Sequence, residues 1–133
     1  MLALDLDHFK SINDRYGHSG GGDDALRFFA AMLSAQLREE DISGRIGGEE
    51  FGVVLPDASP QTGMAVAERI RKAIEGAPAT TRSTKEAIPL TVSIGVASFP
   101  RSGETLEQLL HQADTLLYDA KNAGRNRVVG HTD

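Results

Sequence analysis

Three stretches of this chain repeat their apolar residues with a helical period. At positions 23–40 the set is Leu26, Phe29, Ala30, Leu33 and Leu37; at 60–75 it is Val66, Ile70 and Ile74, with Glu68, Arg69, Arg71 and Lys72 mostly outward. The third and broadest is Leu106, Leu109, Leu110, Ala113, Leu116, Leu117 and Ala120. Each spacing predicts an amphipathic helix with one buried face. Thr105 and Gln108 form a capping box ahead of the third, Gly124 closes it, and Asp23 is placed to cap the first. A shorter helix is predicted over 9–13, with Phe9, Ile12 and Tyr16 spaced to touch one surface. Apolar or alternating runs at 1–6, 42–46, 51–55, 90–97 and 127–129 predict strands. Glycine-rich 17–22 predicts a flexible loop, and the polar, weakly patterned 76–89 a variable loop with room for one edge strand. Strands separated by helices, with one hairpin, predict an α+β fold in which helices cover a mixed, mainly antiparallel sheet.

A chain of 133 residues, 40% apolar, has the size and composition of one domain with a real core. The net charge of -5 argues against neutralising many phosphates of a nucleic-acid polymer, though not against a small nucleotide whose charge a metal shares. Without cysteine there is no disulfide, thiolate chemistry or zinc–cysteine site, which fits a reducing compartment. Met1-Leu2-Ala3-Leu4 runs straight into Asp5, and no apolar run is long enough to span a membrane, so the expectation is a cytoplasmic chain.

The chemistry gathers at strand ends. Gly47-Gly48-Glu49-Glu50-Phe51 joins the two strands of the predicted hairpin, with glycines for the tight turn and two carboxylates at its tip. A carboxylate beside bare glycine backbone suits a metal-bound phosphate; a solvated hairpin tip needs the same residues. Asp5 and Asp7 share one face at the end of the first strand, where α/β sheets commonly place ligands. Asp5 and Glu49 meeting over neighbouring strands would make a two-carboxylate metal site.

The run Asp5-Leu6-Asp7-His8-Phe9-Lys10-Ser11-Ile12-Asn13-Asp14, then Gly17-His18, Gly22-Asp23, Gly47 to Phe51, Ala113-Asp114, Tyr118-Asp119-Ala120-Lys121 and Gly124-Arg125-Asn126, resembles the GGDEF-domain diguanylate cyclases from first strand to last. That resemblance implies the palm-like sheet of nucleotidyl cyclases and polymerases, with a ferredoxin-like core. It implies two domains facing each other as a homodimer, each holding one GTP, and forming cyclic di-GMP with release of two pyrophosphates. Asp5, Glu49 and the Leu6 carbonyl would hold Mg²⁺ or Mn²⁺. Glu50 would serve a second metal or take the proton of the attacking hydroxyl. Gly47 and Gly48 would lie against the nucleotide, the backbone N–H groups of His8, Phe9 and Lys10 would face its phosphates, and Lys121 and Arg125 would reach the outer phosphates. Asn13 and Asp23 would select guanine. Read without the resemblance, Asn13 and Asp23 are helix caps, and Lys121 and Arg125 are favourable charges at a helix C-terminus. His18 is expected in a structural loop role.

Arg38-Glu39-Glu40-Asp41, a weak signal by itself, matches the family's inhibitory site for its product, with Arg69 as the arginine a neighbouring domain supplies there. Two departures stand out. The chain starts after the place of the family's D-x-L-T-x-L-x-N-R-like segment, an omission expected to weaken packing and remove a link to a sensor or dimerisation module. Ser19-Gly20-Gly21 is one residue longer than usual, an insertion expected in the loop and bearing on how Asp23 meets guanine. A second reading stays open: a module that binds GTP or cyclic di-GMP with little turnover.

Overall fold

The computed structural model describes residues 1–81, 85–100 and 104–131, apart from the side chains of residues 18–20, so the expectation for His18 falls outside the described residues. In chain order the elements are β1 (Leu2–Leu6), α1 (Phe9–Tyr16), a π-helical turn (Gly17–Gly22), α2 (Asp23–Ala35), β2 (Ile42–Gly47), β3 (Glu50–Val54), α3 (Pro60–Glu75), β4 (Ala79–Thr80), β5 (Ala87–Ile88), β6 (Val92–Val96), α4 (Leu106–Asn122) and β7 (Val128–Gly130). The main sheet runs β2-β3-β1-β6-β7, antiparallel throughout except for the parallel β6–β7 pair. This is the α+β architecture with a mixed, mainly antiparallel sheet. Among the described residues, no helix is long and apolar enough to cross a membrane.

Alternation along the strands sorts the sheet's two faces. Leu2, Leu4 and Leu6 of β1, Phe51 and Val53 of β3, and Val92, Ile94 and Val96 of β6 join residues of α1, α2 and α3 in the larger core. Within it the Phe29 and Phe51 rings pack tilted at 56°, centroids 4.8 Å apart. The other face carries small residues: Ala3 and Ala97 pack on Ala113 and Leu117 of α4. Gly95 is the closest approach, because a Cβ there would lie 2.2 Å from the Ala113 carbonyl oxygen and 2.4 Å from the Leu117 nitrogen. α4 therefore rests on the backbone of β6.

The helix termini follow local chemistry. Ser59 caps α3 by accepting from the Thr62 N–H, with Pro60 at the first helical position. Both bonds of the Thr105–Gln108 capping box are present on α4. Its far end closes with the Gly124 N–H on the Lys121 carbonyl and the Arg125 N–H on the Ala120 carbonyl, the pattern of a Schellman motif.

Four expectations are corrected. The glycine run 17–22 is a π-helical turn rather than a loop, the form a helix takes when it absorbs an extra residue. Gly21 and Gly22 are there for packing, since a Cβ on Gly21 would fall 2.0 Å from the Tyr16 Cβ and one on Gly22 1.8 Å from Asn13 Oδ1. α2 stops at Ala35 instead of near position 40, its end tightened by the Gln36 and Leu37 N–H groups on the Leu33 and Ser34 carbonyls. The 76–89 stretch holds two short strands that pair with each other, with Ala79 and Ile88 buried in the core. Leu106, placed in the apolar stripe by period, is 61% exposed, bordering an open hollow with Ile42, Ile46 and Leu110 rather than the packed core.

Candidate active site

The end of β1 gathers charge from three directions. Asp5 faces α4, paired across the sheet with Glu50 of β3 and Ser93 of β6, and is only 7% exposed. Lys121, in the last turn of α4, donates to Asp5 Oδ2 at 2.5 Å. Burial pushes the Asp5 pKa up and the Lys121 ammonium partly offsets the rise. The lysine expected at the outer phosphates thus lies on Asp5, the carboxylate expected at the metal.

Glu49 stands in the hairpin turn. Its carbonyl accepts the Leu6 N–H at 3.4 Å and its charge acts on Asp5, so the tip lies beside the end of β1. The Arg45 guanidinium braces the turn through the Gly48 carbonyl at 2.7 Å. Only Gly48 uses positive φ, at 54°; Gly47 is the last residue of β2, beside a register shift. A Cβ at either glycine would meet nothing within 4 Å. Packing does not require Gly47, and the glycines keep the surface beside Glu49 low.

Glu50 turns toward the same face and meets Asp114 of α4. Burial, then the Asp114 carboxylate beside it, push its pKa up to about 7, the range of a working general base. Since the folded-state pKa lies above the unfolded one, the folded chain holds a proton that the unfolded chain releases between the ordinary carboxylate range and about pH 7. That stabilisation is complete at low pH and is lost as the pH rises through about 7. In metal-free buffer Glu50→Gln is expected to raise the melting temperature relative to the parent more at pH 8 than at pH 5. An equal difference at both values would remove Glu50 as the titrating group.

The first turn of α1 opens beside this cluster. His8 occupies the N-cap with φ 57° and gives no side-chain cap, leaving the N–H groups of Phe9 and Lys10 to other acceptors. Such an end favours anions. Further along, Asn13 Oδ1 is buried without a hydrogen-bond partner among the described residues, against Gly22, where a Cβ would come within 1.8 Å of it. Asn13 is therefore not a side-chain cap. Nor is Asp23: Gly22 before it is already helical, and Asp23 is exposed.

Arg125 follows Gly124 at the end of α4, on the same turn as Asn126. Arg38 and Asp41 form not a helix end but a closed turn, in which the Arg38 N–H donates to Asp41 Oδ2 at 2.8 Å and the Asp41 N–H to the Arg38 carbonyl. They line a pocket of about 210 Å³ with Leu55, Thr62, Val66 and Arg69. The resemblance gave this arginine to a neighbouring domain, yet Arg69 of the same chain already borders the pocket, donating to the Gln36 carbonyl.

Four residues went unassigned at sequence level. Asp7 is buried and accepts from Thr91 Oγ1 at 2.7 Å, Ser93 Oγ at 2.6 Å and the Asn126 N–H at 3.0 Å. Its position two residues after Asp5 was the available signal. Asp114 lies seven residues before Lys121, two helical turns on the same face, a spacing that could have paired them. Arg71 and Asn126 carry no sequence signal that joins them.

The donor set fits Mg²⁺ or Mn²⁺. Asp5 and Glu49 offer hard carboxylate oxygens at one strand end, and Mg²⁺ typically takes one or two carboxylates with phosphates and water. Among the described residues no three acidic or histidine side chains form a cage, as such a site does not require.

Known proteins resemble this chain along nearly its whole length. Residues 1–127 match the family described as diguanylate cyclase, GGDEF domain. The response regulator PleD of Caulobacter vibrioides is 45% identical over 129 residues, covering 97% of this chain and 28% of PleD. The probable diguanylate cyclase DgcF of Escherichia coli K12 is 44% identical over 132 residues, covering 96% of this chain and 41% of DgcF. The chain thus spans well under half the length of these relatives. The crystal structure of the GGDEF domain of YfiN from Pseudomonas aeruginosa superposes with a TM-score of 0.92 at 36% identity, covering 99% of this chain and 81% of that one. That of DgcB from Caulobacter crescentus, in complex with cyclic di-GMP, gives 0.88 at 34% identity, covering 97% of this chain and 75% of that one.

Proposed function

Since the chain belongs to the GGDEF family of diguanylate cyclase domains, we propose that it condenses two GTP molecules into cyclic di-GMP, one nucleotide per domain in a homodimer. The observation that carries this reading is the convergence of Asp5, Glu49 and Lys121 at one end of the sheet, beside the uncapped N-terminus of α1. Asp5, Glu49 and the Leu6 carbonyl would hold Mg²⁺ or Mn²⁺, which when bound neutralises triphosphate charge and acidifies the attacking hydroxyl. The backbone N–H groups of His8, Phe9 and Lys10 receive phosphate oxygens, as a helix N-terminus does. Lys121 and Arg125 add cationic contacts to the outer phosphates, and the bare surface of Gly47 and Gly48 leaves room for the nucleotide.

Glu50 accepts the proton of the 3′-hydroxyl as its oxygen attacks the α-phosphorus of the facing GTP; the bond to pyrophosphate breaks and pyrophosphate leaves. A carboxyl with a pKa near 7 is matched to that task. The exposed Asp23 carboxylate can accept from guanine N1–H and the 2-amino group, and Asn13, whose Oδ1 has no partner among the described residues, can accept the second 2-amino hydrogen. A buried polar atom without a partner is costly, which supports a ligand there. Adenine offers no matching donor pair. The Arg38–Asp41 pocket, bordered by Arg69, takes the product as an inhibitor through its phosphates and guanine edges. A GTP-consuming domain without cysteine is assigned to the cytoplasm.

The test is GTP conversion in Mg²⁺ and in Mn²⁺ over a range of protein concentrations, with products separated chromatographically. Cyclic di-GMP formed with specific activity that rises with concentration is the expected result. Added cyclic di-GMP should slow the parent protein, while Arg38→Ala keeps the initial velocity and escapes inhibition. Metal-dependent GTP binding without product at any concentration would replace this reading with that of a nucleotide-binding module.

A further inference from the structure

The turn after α4 holds two consecutive side-chain-bearing residues in the left-handed region, Arg125 at φ 64° and Asn126 at φ 48°. L-residues disfavour that conformation, and it persists where surrounding contacts over-determine it. Here the contacts come from two sides. From the sheet, the buried Asp7 carboxylate accepts the Asn126 N–H at 3.0 Å. From α3, Arg71 Nη1 donates to Asn126 Oδ1 at 2.9 Å, while Asn126 Nδ2 donates to Glu75. Both ends of the amide are thereby fixed.

Arg71 is itself held. Its side chain is 14% exposed, and its Nε and Nη2 engage the Glu68 carboxylate at 3.0 and 2.6 Å, which leaves Nη1 aimed across at the turn. The guanidinium of Arg125, by contrast, makes no hydrogen bond or ion pair among the described residues, and the residue is exposed. A constrained backbone, anchored on both sides, thus presents a cation that the fold does not use. Glycine would take this φ without strain but could not carry the charge.

We propose that Arg71, acting through Asn126, is the positioning residue that sets Arg125 toward the nucleotide's phosphates. The proposal rests on the assignment of Arg125 to those phosphates and adds that α3 controls it. Arg71 does not touch the nucleotide; it fixes the turn from which Arg125 reaches. An arginine presented from an anchored turn has only its side chain to order on binding, whereas on a free turn the ligand must order the backbone as well.

The experiment measures the Kd of 3′-deoxy-GTP in Mg²⁺, a nucleotide that binds but cannot cyclise, so the result does not depend on turnover. The proteins are the parent, Arg71→Lys, Asn126→Gly, Arg125→Ala, and each of the first two combined with Arg125→Ala. Arg125→Ala is expected to weaken binding roughly tenfold, the scale of one charged contact. Arg71→Lys keeps the charge but not the fork geometry, and Asn126→Gly keeps the left-handed backbone but not the amide. Each is expected to weaken binding severalfold alone and to have no further effect once Arg125 is alanine. Severalfold losses that persist unchanged in the Arg125→Ala background would show a merely structural role and overturn the proposal. So would single variants that bind like the parent while Arg125→Ala does not. If Arg125→Ala binds like the parent, the assignment of Arg125 itself falls, and the proposal with it.

Discussion

Glu49→Ala is expected to reduce cyclic di-GMP formation by at least about a thousandfold, with the fold intact, because removing a carboxylate proposed to hold the metal would take away both substrate charge neutralisation and activation of the attacking hydroxyl. Stability should hardly change. Glu49 is half-exposed in a turn already braced by Arg45 on the Gly48 carbonyl, and substitutions in such places typically cost within about 0.5 kcal/mol. Asp5→Ala would be a less clean probe, since it strands the Lys121 ammonium that now pairs with it. Glu49→Ala turning over GTP at the parental rate, with parental melting behaviour, would refute the two-carboxylate metal site.

Gly95→Ala is expected to be the most damaging single methyl group in the sheet. Its Cβ would meet the Ala113 carbonyl and the Leu117 nitrogen, backbone atoms that no rotamer change can move aside. α4 must lift from β6, at a cost of about 3 kcal/mol, the upper end of ordinary overpacking. For a domain of this size that means a melting temperature lower by on the order of 10 °C. Activity should fall further than stability, because lifting α4 draws Lys121 and Asp114 away from Asp5 and Glu50. Calorimetry alongside GTP turnover below the melting transition would check both. A variant that melts with the parent would mean that α4 is free to shift over β6.

Period and capping made most of this fold legible. The 3.6-residue spacing and the Thr105–Gln108 signal act within a turn of helix, so α3 and α4 appear as expected. The departures arose where apolar spacing carries no information. Tyr16 and Asn13 crowd Gly21 and Gly22 in the π-helical turn, and Asp41 folds back onto the Arg38 N–H beyond the end of α2, contacts close in sequence that periodicity does not encode. The site shows the same division. Asp5 and Glu49 were readable because strand ends and a glycine turn locate them, whereas the Glu50–Asp114 meeting depends on how α4 crosses the sheet. Asp7 was visible as a neighbour of Asp5, but its partners Thr91, Ser93 and Asn126 come from far along the chain.

The contacts of β1 also order events in time. Asp5 and Asp7 are made first on a ribosome, but Lys121 and Asn126 follow 116 and 119 residues later. β1 lies in the middle of the sheet, so its two neighbours, β3 and β6, also emerge after it. A nascent chain can build the α2 and α3 helices early and still hold a central strand with open edges and two uncompensated carboxylates. Domains with such distant pairings fold slowly and are prone to associate while incomplete. The candidate site is therefore among the last parts of the domain to form, waiting on α4 and the turn after it.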